Sequence, residues 1–418
     1  MSFGIVLDLI ALLLVSASVF GLLNYHFFKL PHTIGLVVLS LLVSGTILLV
    51  HAVFPAWGLA DAARGVLIQI DFSETLLLGL LSFLLFAGAL HIDLTTLIAN
   101  SRTVVTLATI GTVLSTVIVA TGVWAATAAL ALDIPFIYCV IFGALISPTD
   151  PVAVLAILKK LGLPKQVETE IIGESLFNDG VAIVIFTIAV SIATGTKGEI
   201  GVADIAIFFA VEAFGGIALG ALTGYLAFLA LRSIDDYVVE VLITLALVMA
   251  TYGIATRLHV SGPLAVVVAG LLIGNPGARL GMSEKTREHL FNFWEMMDEI
   301  LNSVLFVLIG FEVLALSLQP GYVTLALLMI PLVLVARVVS VGVPLFGFGM
   351  MRGRARGSLA LLTWGGLHGA ISVALVLALP AGPIRDMFLP ACYTVVIFSI
   401  VVQGLTLEHV ARRFGPKA

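Results

Sequence analysis

Two short stretches put oxygen chemistry inside apolar sequence: Ser147-Pro148-Thr149-Asp150-Pro151 and Gly173-Glu174-Ser175-Leu176-Phe177-Asn178-Asp179-Gly180. Asp150, Glu174 and Asp179 are costly there, because an aspartate at the centre of a membrane helix costs about 2.5–3.5 kcal/mol even on the lenient insertion scale. A chain keeps such groups where they bind or move something charged. Glu174 and Asn178 are four residues apart, as are Ser175 and Asp179, so two carboxylates, a hydroxyl and an amide share one broad helix face. Asp179 lies among Phe177, Val181 and Ile183. An uncompensated charge is expensive in such surroundings, so this carboxylate takes up a proton or a cation, and not comfortably both. Competition for one carboxylate is the simplest chemistry of proton–cation exchange. A cluster that merely glues helices together would explain Ser175 or Asn178, but explains two nearby carboxylates poorly.

Pro148 and Pro151 each remove a backbone donor and disfavour helical geometry at the preceding residue. The helix is therefore expected to unwind around Thr149 and Asp150. Carbonyl oxygens freed in hydrocarbon need a partner, and a monovalent cation is a hard ion that suits them. Asp150 then serves as cap and countercharge for the half-helix that follows. The plainer reading of this segment is a proline kink in a packed helix. Arg337, in Val335-Ala336-Arg337-Val338-Val339, is the one basic residue placed in a helix core, and a buried arginine needs an acidic partner. Glu174 is the choice that leaves Asp179 free for the ion; Asp150 and Asp179 stay open as alternatives.

The elements that must position these residues are membrane helices. The chain is 61% hydrophobic and 11% charged, with mean hydropathy +1.20 over 418 residues. A soluble domain is nearer half apolar and a quarter charged. Apolar runs predict an all-α polytopic membrane protein of about 13 helices, at about 3–28, 33–53, 73–91, 103–130, 135–158, 166–194, 203–232, 237–257, 261–275, 288–318, 321–349, 358–380 and 387–408. The run from Phe3 to Phe28 is too long for a signal core and reads as a first membrane helix. No loop is long enough for a soluble domain, so residues 1–408 read as one transmembrane transporter unit and 409–418 as a short cytosolic tail. Cys139 and Cys392 lie in apolar sequence and read as small core residues.

Placing the N-terminus outside and the C-terminus inside puts fifteen of the 20 Lys and Arg on inner loops and tail, from Lys29 to Lys417. Arg64, Lys197, Arg257 and Arg385 fall outside, and Arg337 lies within a helix. This satisfies the positive-inside rule. The odd helix count also suggests two inverted six-helix repeats, at about 3–194 and 237–408, joined by a linking helix at about 203–232. In such repeats the substrate site lies where interrupted helices cross near the midplane. The counterpart of the Pro148–Pro151 break is Trp364-Gly365-Gly366-Leu367-His368-Gly369. His368 reads two ways, as a titratable modulator or as a neutral histidine that satisfies freed carbonyls. Glu295, Asp298 and Glu299 read either as an acidic entry funnel or as groups near the inner interface. Glu212 reads as structural ahead of a role facing a dimer interface or a cavity, and Asp8 and Glu312 read as interfacial.

With these residues in place, the chain resembles a sodium/proton antiporter of the cation–proton antiporter superfamily, in the NhaP-like prokaryotic branch related to animal sodium/proton exchangers. The resemblance covers nearly the whole chain and rests on Ser147–Pro151, Gly173–Gly180 and Trp364–Ser372, with support from Arg337 and Phe398–Leu407. It implies a fold of thirteen helices, divided into a core domain and a dimerisation domain, whose core moves as an elevator. It implies that Asp179 binds the ion and the proton in turn. Ser175, Thr149 and Glu174 would complete the Na+ (or Li+) shell, with Asn178, Asp150 and Arg337 in support. Asn178 beside Asp179, in place of a second aspartate, is similar to the electroneutral branch that exchanges one cation for one proton. One departure stands out: His368 occupies a position where an arginine is expected.

The expectation is thus a secondary antiporter, not an enzyme, with no cofactor beyond the transported ions. It would be a homodimer in the lipid bilayer of the cell (plasma or inner) membrane, with monovalent cations and protons as its partners and no nucleic acid. A K+/H+ antiporter or a cation-coupled solute transporter on the same fold is the nearest rival. An intramembrane aspartyl protease lacks its Gly-x-Gly-Asp motif here, and a channel lacks a repeated filter sequence.

Overall fold

The computed structural model describes residues 3–68, 79–151, 154, 165–195, 202–316, 319–349 and 357–414. Among them it is built of helices. They are α1 (Phe3–Leu23), α2 (His32–Val53), α3 (Leu59–Ile68), α4 (Leu81–Leu90), α5 (Leu94–Ala99) and α6 (Ser101–Ala129). They continue with α7 (Phe136–Ile146), α8 (Lys165–Ala193), α9 (Val202–Arg232), α10 (Tyr237–Leu258), α11 (Gly262–Leu280) and α12 (Glu284–Glu312). The last are α13 (Pro320–Gly347), α14 (Ser358–Trp364), α15 (Ala370–Leu377) and α16 (Pro383–Phe414). Nine helices among the described residues are long and apolar enough to cross a membrane, and α4 and α7 are shorter apolar helices.

Local chemistry sets the ends. Asp93 caps α5 by accepting from the Thr95 N–H at 2.7 Å, and those helix N–H groups hold its carboxyl below the usual range. Asp236 caps α10 and Ser261 caps α11, where Pro263 occupies the first turn. The helix expected over 135–158 stops at Ile146 because Pro148 follows. Beyond the break, Val154 is helical, while 152–153 and 155–164 lie outside the described residues, as do 73–78 of the expected third span. The span expected over 358–380 is likewise two pieces, α14 and α15.

Two boundaries differ from expectation. The last helix runs on to Phe414, six residues past the expected end at 408 and into the expected tail. Hydropathy falls there, but Leu407 and Ala411 bury one side while Glu408 and Arg412 pair at 2.7 Å on the other, so an amphipathic helix persists. The unexpected α3 is too short to span a bilayer, and Arg64 on it donates to the Leu314 carbonyl at 2.7 Å.

The helices pack in two sets. One joins α6, α7, α8, α13, α14, α15 and α16; the other joins α1, α2, α4 and α9–α12. Within the first, α7 lies close on α6 because a Cβ at Gly143 would strike the Thr116 carbonyl. The largest apolar cluster has Phe142 of α7 against Phe388 of α16, ring centroids 4.8 Å apart. Glu312 stands at the end of α12, as expected, but is buried by protein, with Oε2 unpartnered among the described residues. Asp8 is exposed, and Cys139 and Cys392 are free and buried.

Candidate functional site

The two breaks meet. The Asp150 N–H donates to the Leu367 carbonyl at 2.6 Å, an isolated antiparallel bridge between the extended segments that interrupt α7 and α14–α15. Glycine makes this approach feasible: a Cβ at Gly369 would collide with the Asp150 carboxyl, and one at Gly366 with the Arg337 guanidinium. The unwound backbone is thus paired with protein instead of facing lipid, as membrane depth demands.

One helix face supplies the rest. α8 carries Glu174, Ser175, Asn178 and Asp179, all buried. The Asn178 side chain clamps Thr149 from both directions. Its Nδ2 donates to Thr149 Oγ1 at 2.9 Å, and its Oδ1 accepts from the Thr149 N–H at 3.5 Å. Thr149 Oγ1 and Ser175 Oγ share a further hydrogen bond at 2.9 Å. Asp179 is 4% exposed, and its Oδ1 has no hydrogen-bond partner among the described residues. Asp150, half-buried, lies within electrostatic reach of it. The structure therefore gathers Thr149, Asp150, Ser175, Asn178 and Asp179 in one place.

Arg337 of α13 meets Glu174, the partner that the sequence argument chose. NH1 donates to Oε1 and NH2 to Oε2, the latter at 3.0 Å; NH2 also reaches the Leu362 carbonyl at 2.9 Å. This forked contact consumes the Glu174 charge and ties α8 to α13 and α14. His368 donates from Nδ1 to the Pro148 carbonyl at 3.1 Å, since a carbonyl can only accept, and its N–H donates to Ser399 Oγ at 2.9 Å. Of the two sequence readings of His368, this contact is the one that satisfies a freed carbonyl.

A cavity of about 570 Å³ lies between the two helix sets, and Asp150 and Asp179 are among the residues that line it. Glu295, Asp298, Glu299 and Asn302 of α12 line it, and Asn302 donates to Asp298 at 3.1 Å. The entry-funnel reading of that acidic group needs these side chains on a cavity shared with Asp179, and they are. Glu168 also lines the cavity and was missed by sequence reasoning, although it stands three turns before Asp179 on the same helix. Also missed were Ser399, at the start of a π-turn (Ser399–Gln403), and the fully buried Glu170, to which Gln166 donates at 3.2 Å. Glu170 sits one turn before Glu174, a spacing that would have flagged it. Glu212 is half-buried and receives the Ser261 N–H through its backbone carbonyl.

The arrangement can strip and hold one small cation. It offers a carboxylate with an unpartnered oxygen, beside two hydroxyls and unwound backbone, on the wall of an acidic cavity. The family described as "Sodium/hydrogen exchanger, transmembrane" matches residues 14–413. The chain is 44% identical to the Na(+)/H(+) antiporter NhaP of Pseudomonas aeruginosa over 97% of its length and 96% of that protein. It is 35% identical to the Na(+)/H(+) antiporter NhaH of Halobacillus dabanensis, covering 98% of each. The fold matches the solved sodium proton antiporter MjNhaP1 of Methanocaldococcus jannaschii over the whole of both chains, with TM-score 0.78 at 18% identity.

Proposed function

The chain belongs to the sodium/hydrogen exchanger family, and from that footing we propose that it is a secondary antiporter exchanging Na+ or Li+ for H+ at Asp179. The observation that carries the reading is the buried, unpartnered Oδ1 of Asp179, a residue that lines the acidic cavity beside the Thr149–Ser175 hydroxyl pair. A cation arriving along the cavity exchanges water for the Asp179 carboxylate and the Ser175 and Thr149 oxygens, with Glu174 close by. A proton arriving instead neutralises the carboxylate and removes the cation's countercharge. The two cargoes exclude each other because they claim one group.

Exchange is one for one and electroneutral. Glu174 is spent on Arg337, and Asn178 is uncharged, so of the clustered residues Glu174, Ser175, Asn178 and Asp179 only Asp179 presents an exchangeable negative charge. Asn178, Asp150 and Arg337 support the site without carrying cargo. The set of helices that holds the site, α6–α8 with α13–α16, moves against the other set, which forms a homodimer. About thirteen spans cross the cell membrane, N-terminus outside and C-terminus cytoplasmic. In that topology the cavity opens inward, since Glu168 and Glu295 lie toward the inner ends of α8 and α12, after the inner-side Lys165 and Arg287. No cofactor takes part, and the chain is not an enzyme.

The test is dissipation of an imposed pH gradient in proteoliposomes by sodium, lithium or potassium, with Asp179→Asn beside the parent. Sodium or lithium should collapse the gradient at any clamped voltage, and the variant should be inert. Exchange retained by the variant would move the site elsewhere. A rate that follows voltage would refute electroneutrality, and collapse by potassium alone would replace the cargo.

A further inference from the structure

We propose that His368 is a positioning residue that sets the cation affinity and selectivity of the Asp179 site by holding the Pro148 carbonyl; this rests on the antiport reading above. The last carbonyls of any helix lack intrahelical N–H donors, and those of α7 end in a break that lipid cannot hydrate. Side chains therefore take them up. Ser147 Oγ donates back to the Gly143 carbonyl at 2.7 Å and meets Thr116 Oγ1 at 3.1 Å. The Pro148 carbonyl receives His368 Nδ1–H at 3.1 Å, and the Ile146 carbonyl lies within reach of the same ring.

His368 is itself fixed from behind. Its N–H is held by Ser399 Oγ in the π-turn of α16, the preceding Leu367 carbonyl holds Asp150 N–H, and the following Gly369 admits the Asp150 carboxyl. Three consecutive residues of one break thus grip the residues on both sides of Thr149. Asn178 grips Thr149 itself from the third direction.

Two consequences follow for the ion. The orientation of the Thr149 oxygens relative to Asp179 is set by Asn178 on the ion-binding face together with His368, which acts from outside it through the Pro148 carbonyl and touches no cargo. The Pro148 oxygen, one of those freed by the break, is withdrawn from the cation. Releasing it would add a loose ligand and let Thr149 rotate, weakening the fit for a small ion and relaxing the preference against a larger one.

The experiment compares His368→Ala and His368→Asn with the parent in sodium-, lithium- and potassium-driven exchange, and in cation-induced shifts of thermal midpoint in detergent. Asn is the informative replacement because its Nδ2–H stands where Nδ1–H stands in histidine. The Ala variant should raise the sodium KM by about tenfold, the factor one positioning hydrogen bond is worth. Maximal rate should change far less, the sodium-to-potassium ratio should fall, and the sodium-induced thermal shift should shrink in parallel. The Asn variant should recover KM to within about twofold.

An unchanged sodium KM and cation ratio in folded Ala variant would overturn the proposal. So would an Asn variant as impaired in KM as Ala, since a donor in the same place would then not suffice. A loss of thermal midpoint with KM unmoved would assign the residue to folding alone, again against the proposal. A parent that exchanges no cation for protons would instead defeat the antiport reading, so the two failures are told apart.

Discussion

Arg337 and Glu174 form the strongest pair in the site, and their value is measured by what either does alone. A buried guanidinium stripped of its carboxylate keeps the desolvation penalty without the attraction, at about 3–5 kcal/mol, whereas loss of both partners leaves only a packing defect. Arg337→Met and Glu174→Met should therefore each lower the thermal midpoint strongly, and the double variant less than either. Midpoints that simply add would show that the forked contact contributes no coupling. The pair also explains why Glu174 and Asp179, five residues apart, have different work. One carboxylate is committed to an arginine and a crossing helix; the other keeps a buried oxygen without a hydrogen-bond partner among the described residues.

At the scale of the elements, the crossing of two broken helices is the device on which everything depends, and glycine makes it feasible. Gly369 and Gly366 are places where a single methyl meets a buried carboxyl or guanidinium. Gly369→Ala should push Asp150 away from Leu367, break the 2.6 Å bridge and abolish exchange, while a helix-face glycine with open space around it, such as Gly253, should accept alanine without loss. Sodium-driven exchange and sodium-induced thermal shift in the two variants decide this. Equal activity would mean that the bridge is dispensable. The same reasoning gives meaning to Pro148 and Pro151: they release the backbone, and the opposite break re-pairs it.

The whole molecule contributes a field. Glu168, Glu295, Asp298 and Glu299 line one cavity together with Asp150 and Asp179. A cleft of one sign with apolar walls concentrates the opposite ion, and that effect fades as salt screens it over about 8–10 Å at physiological ionic strength. Neutralising the α12 group with Glu295→Gln, Asp298→Asn and Glu299→Gln should raise the sodium KM several-fold at low ionic strength and little in high choline chloride. Maximal rate should hold in both. A salt-independent change would mean that these residues act by contact and not by their field.

Much of this organisation is determined by sequence alone, because the bilayer leaves few choices. Apolar length sets the spans, prolines set the break after Ile146, and the spacing of Glu174, Ser175, Asn178 and Asp179 puts them on one face whatever surrounds them. The cost of burying charge singles out Asp179 and demands a partner for Arg337. Where polarity is mixed, hydropathy fails, as in α3 and the final turns of α16. Tertiary structure decided what no local rule reaches. It chose Glu174 for Arg337, set His368 on the Pro148 carbonyl and Ser399 behind it, buried Glu312, and put the α12 acids on the cavity that Asp179 lines. Periodicity fixes which face a residue shares with its near neighbours along one helix. Which distant helix lies across that face is fixed only when all the helices pack together.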